Sequence, residues 1–133
     1  AAGVIWGYGA ALDMTRRDLQ AKAKAKQRPW DLSKDFEGAA VLSALTPAQD
    51  FQPLGQRIQL GVNGVTRQDA VISDMVWSID ELIADLSHYY HLTPGDLILT
   101  GTPAGVGPVV TGDRLSGGIE GLAPVELRIG PAE

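Results

Sequence analysis

The chain has 133 residues, 44% apolar and 20% charged, which is ordinary globular composition and enough length for one domain with a core. Its net charge of −5, with basic residues clustered only between Arg16 and Arg28, argues against a nucleic-acid partner. The lack of cysteine excludes disulfides, thiolate metal sites and a cysteine nucleophile and fits a reducing, cytoplasmic setting, while the apolar runs are far too short to span a membrane.

In chain order, Val4 to Leu12 reads as a strand, and Gly7 and Gly9 allow another backbone to approach it closely. Asp13 stands where that strand ends. An acid there suits a helix cap or a cation site equally well. Thr15 is expected as the N-cap, with Asp18 at N3 as an acidic variant of the capping box. The helix should run from about Arg16 to Gln27 and stop before Pro29. Arg17 and Gln20, three apart, then share one face. Lys22, Lys24 and Lys26 alternate with alanine, which scatters their charges around the helix and predicts a solvated surface.

Trp30 to Lys34 reads as a short irregular or one-turn segment, Phe36 to Leu45 as a strand, and Thr46 to Gly55, with two prolines, as a loop. Ile58, Leu60 and Val62 alternate with Gln59 and Gly61, the pattern of a half-buried strand. Asn63-Gly64 is a two-residue hairpin signal, which makes Val65 to Ala70 the returning strand. Ser73 to Val76 is expected to form one helical turn. Ser78 and Glu81 make a capping box, and Ile79, Leu82, Ile83, Leu86 and Tyr90 form the apolar stripe of a helix ending near Tyr90. Thr93 to Asp96 is a turn, and Leu97 to Thr100 is expected as a buried strand. Two late strands, near Asp113 to Glu120 and Pro124 to Ile129, form a hairpin about Gly121.

Few side chains suggest chemistry by position alone. Lys34 would stabilise negative charge on a metal-bound anion, but its position by itself describes a solvated lysine. His88 and His91 lack a metal-binding spacing. Gly101 to Gly107 suits an anion-binding turn, since its glycines let backbone N–H groups approach a ligand and Thr102 adds a hydroxyl. A plain strand-to-loop corner has the same composition. No nucleophile elbow or phosphate loop is present.

Three segments together, Gly7 to Gln20, Pro29 to Phe36 and Pro94 to Gly107, resemble the C-terminal catalytic core of the fumarylacetoacetate hydrolase family. Val62-Asn63-Gly64 and Ser73-Asp74-Met75 fall between them in the expected order, so the likeness covers nearly the whole chain. Within the family it is nearest to the small acylpyruvate hydrolases and related oxaloacetate decarboxylases. The resemblance implies an α+β fold, mainly β: a mixed β-roll with short helices. It implies a divalent cation, Mg²⁺ or Mn²⁺, held by three carboxylates, of which Asp13 matches the third. It matches Arg17 and Gln20 to residues facing the substrate, Lys34 to a catalytic lysine beside the metal, and Gly101-Thr102 to the loop whose threonine meets the substrate carboxylate. The implied reaction is hydrolytic C–C cleavage of acylpyruvates or other 2-oxo or 1,3-diketo acids, as in aromatic catabolism. Decarboxylase, hydratase and isomerase chemistry share the same site. Homodimers or larger assemblies are expected, with no nucleic-acid or membrane partner.

Departures from the family pattern are equally specific. The other two metal ligands of the family form a Glu-x-Glu pair, whereas the glutamates here are Glu37, Glu81, Glu120, Glu126 and Glu133. The family's water-activating His and Glu have no counterpart, and Ala39 to Ser43 lacks the usual proline. The chain also opens directly in a strand-like run, with no signal-peptide pattern. Residues 1 to 133 are therefore expected to be a single unit forming the C-terminal part of a longer protein, poor at binding metal and inactive alone. A catalytically silent structural or assembly fragment is the expectation from another class.

Overall fold

Asn63 and Gly64 both adopt positive φ, 53° and 78°, the conformation that turns a chain tightly between antiparallel strands. They join β5 (Arg57–Val62) to β6 (Val65–Val71) in the computed structural model, which describes residues 2–131. β7 (Arg114–Ile119) pairs with the other edge of β5, and β8 (Val125–Arg128) pairs with β7. The result is an antiparallel sheet of order β6-β5-β7-β8. The second hairpin turns at Gly121, with φ +87°. Register places Leu60 beside Gly117 and Val62 beside Leu115, so the alternation in the sequence becomes one apolar face.

One irregularity in this sheet matters for the site. Leu60 pairs with Gln68 but Gly61 pairs with Thr66, which leaves Arg67 as an extra residue in β6. Strict alternation from Val65 would turn Arg67 inward and Gln68 outward. The bulge reverses that parity and puts Gln68, 7% exposed, on the face of Leu60.

The expected first strand is two short ones, β1 (Gly7–Tyr8) and β2 (Ala11–Asp13). They part at Ala10, whose N–H is taken by the Ser43 hydroxyl at 2.9 Å instead of by a ladder carbonyl. β2 pairs with β3 (Ala40–Leu42), and β1 pairs with β4 (Thr46–Pro47), which lies where a loop is expected. The close approach foreseen at Gly7 is real: a Cβ there would lie 2.5 Å from the Thr46 carbonyl oxygen. Among the described residues the buried apolar side chains are Ala10, Leu12, Ile83, Leu115 and Val125. Four of them, Ala10, Leu12, Leu115 and Val125, form one cluster that joins β2 to β7 and β8.

The helices are α1 (Arg17–Ala25), α2 (Asp31–Lys34) and α3 (Ile79–Leu86). α3 starts at the expected capping box, with Ser78 N–H donating to Glu81 at 2.8 Å and Glu81 N–H donating to Ser78 Oγ at 3.3 Å. It ends earlier than the stripe suggests: past Leu86 the backbone tightens into i→i−3 turns, with His88 N–H donating to the Asp85 carbonyl at 3.1 Å and Tyr89 N–H to the Leu86 carbonyl at 3.0 Å. The helical turn expected at Ser73 to Val76 is a 3-10 turn at Ile72–Asp74. Leu97 to Thr100 is not a buried strand: no ladder includes it among the described residues, and Leu97 and Leu99 are 53% and 43% exposed. Its apolar run has no neighbouring strand to pair with and lies open on the wall of a cavity. No helix among the described residues is long and apolar enough to cross a membrane.

The hairpin turn is tied to β7 by Asn63, whose side-chain amide donates to Asp113 at 2.8 Å and whose oxygen accepts from Arg114 N–H at 2.9 Å. The Val110 N–H, and after it the Asn63 amide, hold the Asp113 carboxyl below the usual carboxylate range. A carboxyl depressed in this way contributes stability that is fully present above its unfolded pKa, about 3.9, and is lost as pH falls through the lower folded value. Asp113→Asn should therefore be less stable than wild type near neutral pH, and the gap should narrow as pH drops below about 4. Urea midpoints across that range check this, and a gap independent of pH would remove Asp113 from the account.

Candidate functional site

Asp13 ends β2, and its carboxylate Oδ2 accepts from the Lys34 ammonium at 2.7 Å. The same ammonium donates to Thr15 Oγ1 at 2.9 Å. Thr15 is thus not the N-cap of α1. That place falls to Arg16, which makes no side-chain capping bond, and the helix begins one residue later than expected. The Thr15 hydroxyl binds the lysine instead. Asp18 is likewise no capping-box partner; it lies 3.8 Å from Lys22 on the surface.

The segment that presents Lys34 is held from beneath. Ser33, 1% exposed, donates its hydroxyl to the Trp30 carbonyl, and its own carbonyl accepts from Arg16 N–H at 3.0 Å. Met14 N–H donates to the Ala39 carbonyl at 2.7 Å, and the Arg16 guanidinium lies 4.4 Å above the Phe36 ring. These contacts bind the ends of β2 and α2 together. They bring Lys34 to Asp13 across 21 residues of chain. Lys34, the last residue of α2, is therefore paired with the strand-end Asp13, where its position alone suggested a free surface lysine.

Arg17 and Gln20 meet as their spacing predicts, but in different roles. Arg17 lines the cavity. Gln20 is 8% exposed and its Oε1 accepts from Arg17 Nη1 at 3.0 Å, which fixes the guanidinium. On the far side, the Gly101–Gly107 loop lies against β6. Gly101 and Gly105 have φ of +109° and +106°, and a Cβ on Gly105 would collide with the Arg67 carbonyl oxygen. Thr102 is exposed to the same cavity and accepts from Gln68 Nε2 at 2.7 Å. Asp13, Arg17, Lys34 and Thr102 thus share one space. His88 and His91 are exposed beyond α3.

Gln68 and Ser33 are the supporting residues that residue-by-residue reading overlooks. Both are uncharged polar residues in segments that read as ordinary surface. The only sequence signal for Gln68 is the glycine-rich loop that must rest on something.

The cavity is large, about 2130 Å³, against roughly 300–1,000 Å³ for a typical small-molecule site. Large apolar side chains stand open to solvent, including Val76 at 94% and Leu32 at 78% exposed. A divalent cation takes about six or more oxygen ligands. Among the described residues no group of three or more His, Asp or Glu gathers at one point. Asp13 with Thr15 does not make a resident metal site by itself.

The chain matches the family described as fumarylacetoacetate hydrolase C-terminal over residues 1–130. It belongs to that family. It is 53% identical over 130 residues to a fumarylpyruvate hydrolase of a Ralstonia species, covering 98% of this chain and 68% of that protein. It is 45% identical over 114 residues to an oxaloacetate tautomerase of Escherichia coli K12, covering 84% of this chain and 52% of the relative. The solved fumarylpyruvate hydrolase of Pseudomonas aeruginosa, in complex with Mn²⁺ and pyruvate, superimposes with a TM-score of 0.94 at 41% identity. That match covers 99% of this chain and 57% of the solved one. The α+β, mainly β architecture expected from the resemblance is the one these relatives share.

Gly105 gives a direct test of how the loop is seated. Gly105→Ala should cost at least about 1 kcal/mol in urea denaturation, since both its φ and the Arg67 carbonyl oppose a side chain. Gly107→Ala, where a Cβ meets open space, should stay within about ±0.5 kcal/mol. Equal effects would mean the loop does not rest on β6 as described.

Proposed function

We propose that these residues form the C-terminal part of a longer catalytic domain that hydrolyses a C–C bond in acylpyruvates such as fumarylpyruvate. The observation that carries this reading is the convergence of Arg17, Lys34 and Thr102 on one cavity beside Asp13, in a chain 53% identical to a fumarylpyruvate hydrolase. The oversized cavity and the exposed apolar side chains support a longer domain, since more than a substrate is needed to fill that space.

In this reading water adds to the acyl carbonyl carbon and the bond to the neighbouring CH₂ breaks. The products are a carboxylic acid and pyruvate, the CH₂ carbon gaining the proton. Arg17 and Thr102 hold the pyruvyl carboxylate, with the Gly101 backbone shaping the turn. Gln20 keeps the Arg17 fork oriented. Lys34 offsets the negative charge that grows on the departing enolate, where a fixed cation in a site shielded from water is most effective. A divalent cation, Mg²⁺ or Mn²⁺, would supply Lewis-acid polarisation of the 2-oxo group. Asp13 would be one of its ligands, the remaining carboxylates coming from outside these residues. The water-activating base also lies outside them, so the 133 residues alone are inactive. We place the protein in the cytoplasm, as a homodimer or larger, in aromatic catabolism.

A second reading, an isomerase acting on oxaloacetate, is favoured by the 45% identity to an oxaloacetate tautomerase. Product analysis separates the two: the complete protein with Mn²⁺ should release pyruvate from an acylpyruvate faster than it interconverts oxaloacetate tautomers. Asp13→Asn should abolish most Mn²⁺ binding by calorimetry. Arg17→Ala should raise the acylpyruvate KM by the worth of a charge-assisted contact, about 1.5–3 kcal/mol. Lys34→Met should lower kcat strongly while costing no more than about 1 kcal/mol of stability, the worth of a solvent-exposed ion pair. Wild-type kcat in Lys34→Met would return that lysine to a structural role.

A further inference from the structure

Thr102 is presented to the cavity by a residue outside its own loop. Gln68 Nε2 lies 2.7 Å from Thr102 Oγ1 and 2.7 Å from the Pro103 carbonyl oxygen. A peptide carbonyl can only accept, so the group facing Pro103 is the amide NH₂ and not its oxygen. Both amide hydrogens are then committed, one to Pro103 and one to the Thr102 hydroxyl. A hydroxyl that accepts keeps its single hydrogen, and must turn it away from the donor. Among the described residues the Thr102 hydroxyl donates to no other group, and it stands on the cavity wall.

We infer that Gln68 is a positioning residue that makes the Thr102 hydroxyl a hydrogen-bond donor into the cavity, and thereby selects a carboxylate there. The geometry is costly to vary. Gln68 is 7% exposed, the bulge at Arg67 turns it inward, and the Arg67 carbonyl against Gly105 keeps the loop at bonding distance. Without the amide, the hydroxyl could spend its hydrogen on the Pro103 carbonyl side and show the cavity a lone pair, which repels an anion. This inference rests on the reading of Thr102 as a carboxylate contact.

The test is a double-mutant cycle on the complete protein loaded with Mn²⁺, with pyruvate as the probe in calorimetry. Gln68→Met should weaken pyruvate about tenfold, as expected for losing roughly 1.4 kcal/mol. In a Thr102→Val background the same change should cost less than about twofold. Steady-state kinetics with an acylpyruvate should show KM rising while kcat stays within about twofold, a split that general loss of packing would not give. If Gln68→Met does not fold, Gln68→Asn takes its place, because its amide stays polar but is too short to reach Thr102 and adds no charge. Equal weakening in both backgrounds would overturn the inference, as would unchanged affinity in Gln68→Met when Thr102→Val alone binds poorly. Unchanged affinity in Thr102→Val would overturn the carboxylate reading of Thr102, and the inference with it.

Discussion

The packing of Ala10 and Leu12 against Leu115 and Val125 joins the two parts of the molecule that carry the site. One part is the strand pair ending in Asp13; the other is the four-stranded sheet whose β6 bears Gln68 and supports the Thr102 loop. Neither part closes a site alone. Full burial of a leucine contributes about 1.5–3 kcal/mol, so the two leucines of this cluster outweigh the surface ion pairs of the chain, each worth about 0–1 kcal/mol. The position of Asp13 relative to Thr102 is therefore set by apolar packing.

That packing is confined to one region. Most other large apolar side chains line the cavity or face solvent, and they include Trp6, 70% exposed, and Trp77, 48% exposed, both on the cavity wall. A chain stable in water seldom leaves so much apolar surface uncovered. The same argument explains Leu97 to Thr100. Its composition is that of a buried strand, but burial needs a partner on each side, and the described residues provide none. Sequence pattern reports what a segment would prefer to do; whether it does so depends on what lies beside it.

Where the determinants were local, the fold was legible in the sequence. The Asn63-Gly64 turn, the Ser78–Glu81 capping box, the alternation of β5 and the late hairpin about Gly121 each follow from residues within a few positions of one another. The candidate site residues were named only through the family resemblance, and their geometry had still less local signal. Thr15 has the composition of an N-cap, but a lysine 19 residues away binds it more usefully. The bulge at Arg67 has no local signature at all: it reflects where the loop of Gly105 must rest, 38 residues further along the chain.

The buried polar side chains lie next to the candidate site. Among the described residues they are Gln20, Ser33 and Gln68. Burying an amide or hydroxyl is unfavourable unless its hydrogen bonds are made, and no buried side-chain nitrogen or oxygen among the described residues lacks a partner. Each of the three stands at one candidate donor: Gln20 bonds Arg17, Ser33 anchors the turn that ends in Lys34, and Gln68 bonds Thr102. A flexible guanidinium, ammonium or hydroxyl loses rotamer freedom when it grips an anion, and a partner that has already fixed it removes that cost from the binding step. Arg17 and Thr102 are held from the interior by Gln20 and Gln68, and Lys34 is held by Asp13 and Thr15, so the three candidate donors are fixed before any ligand arrives, which suits a site aimed at a charge that develops during reaction.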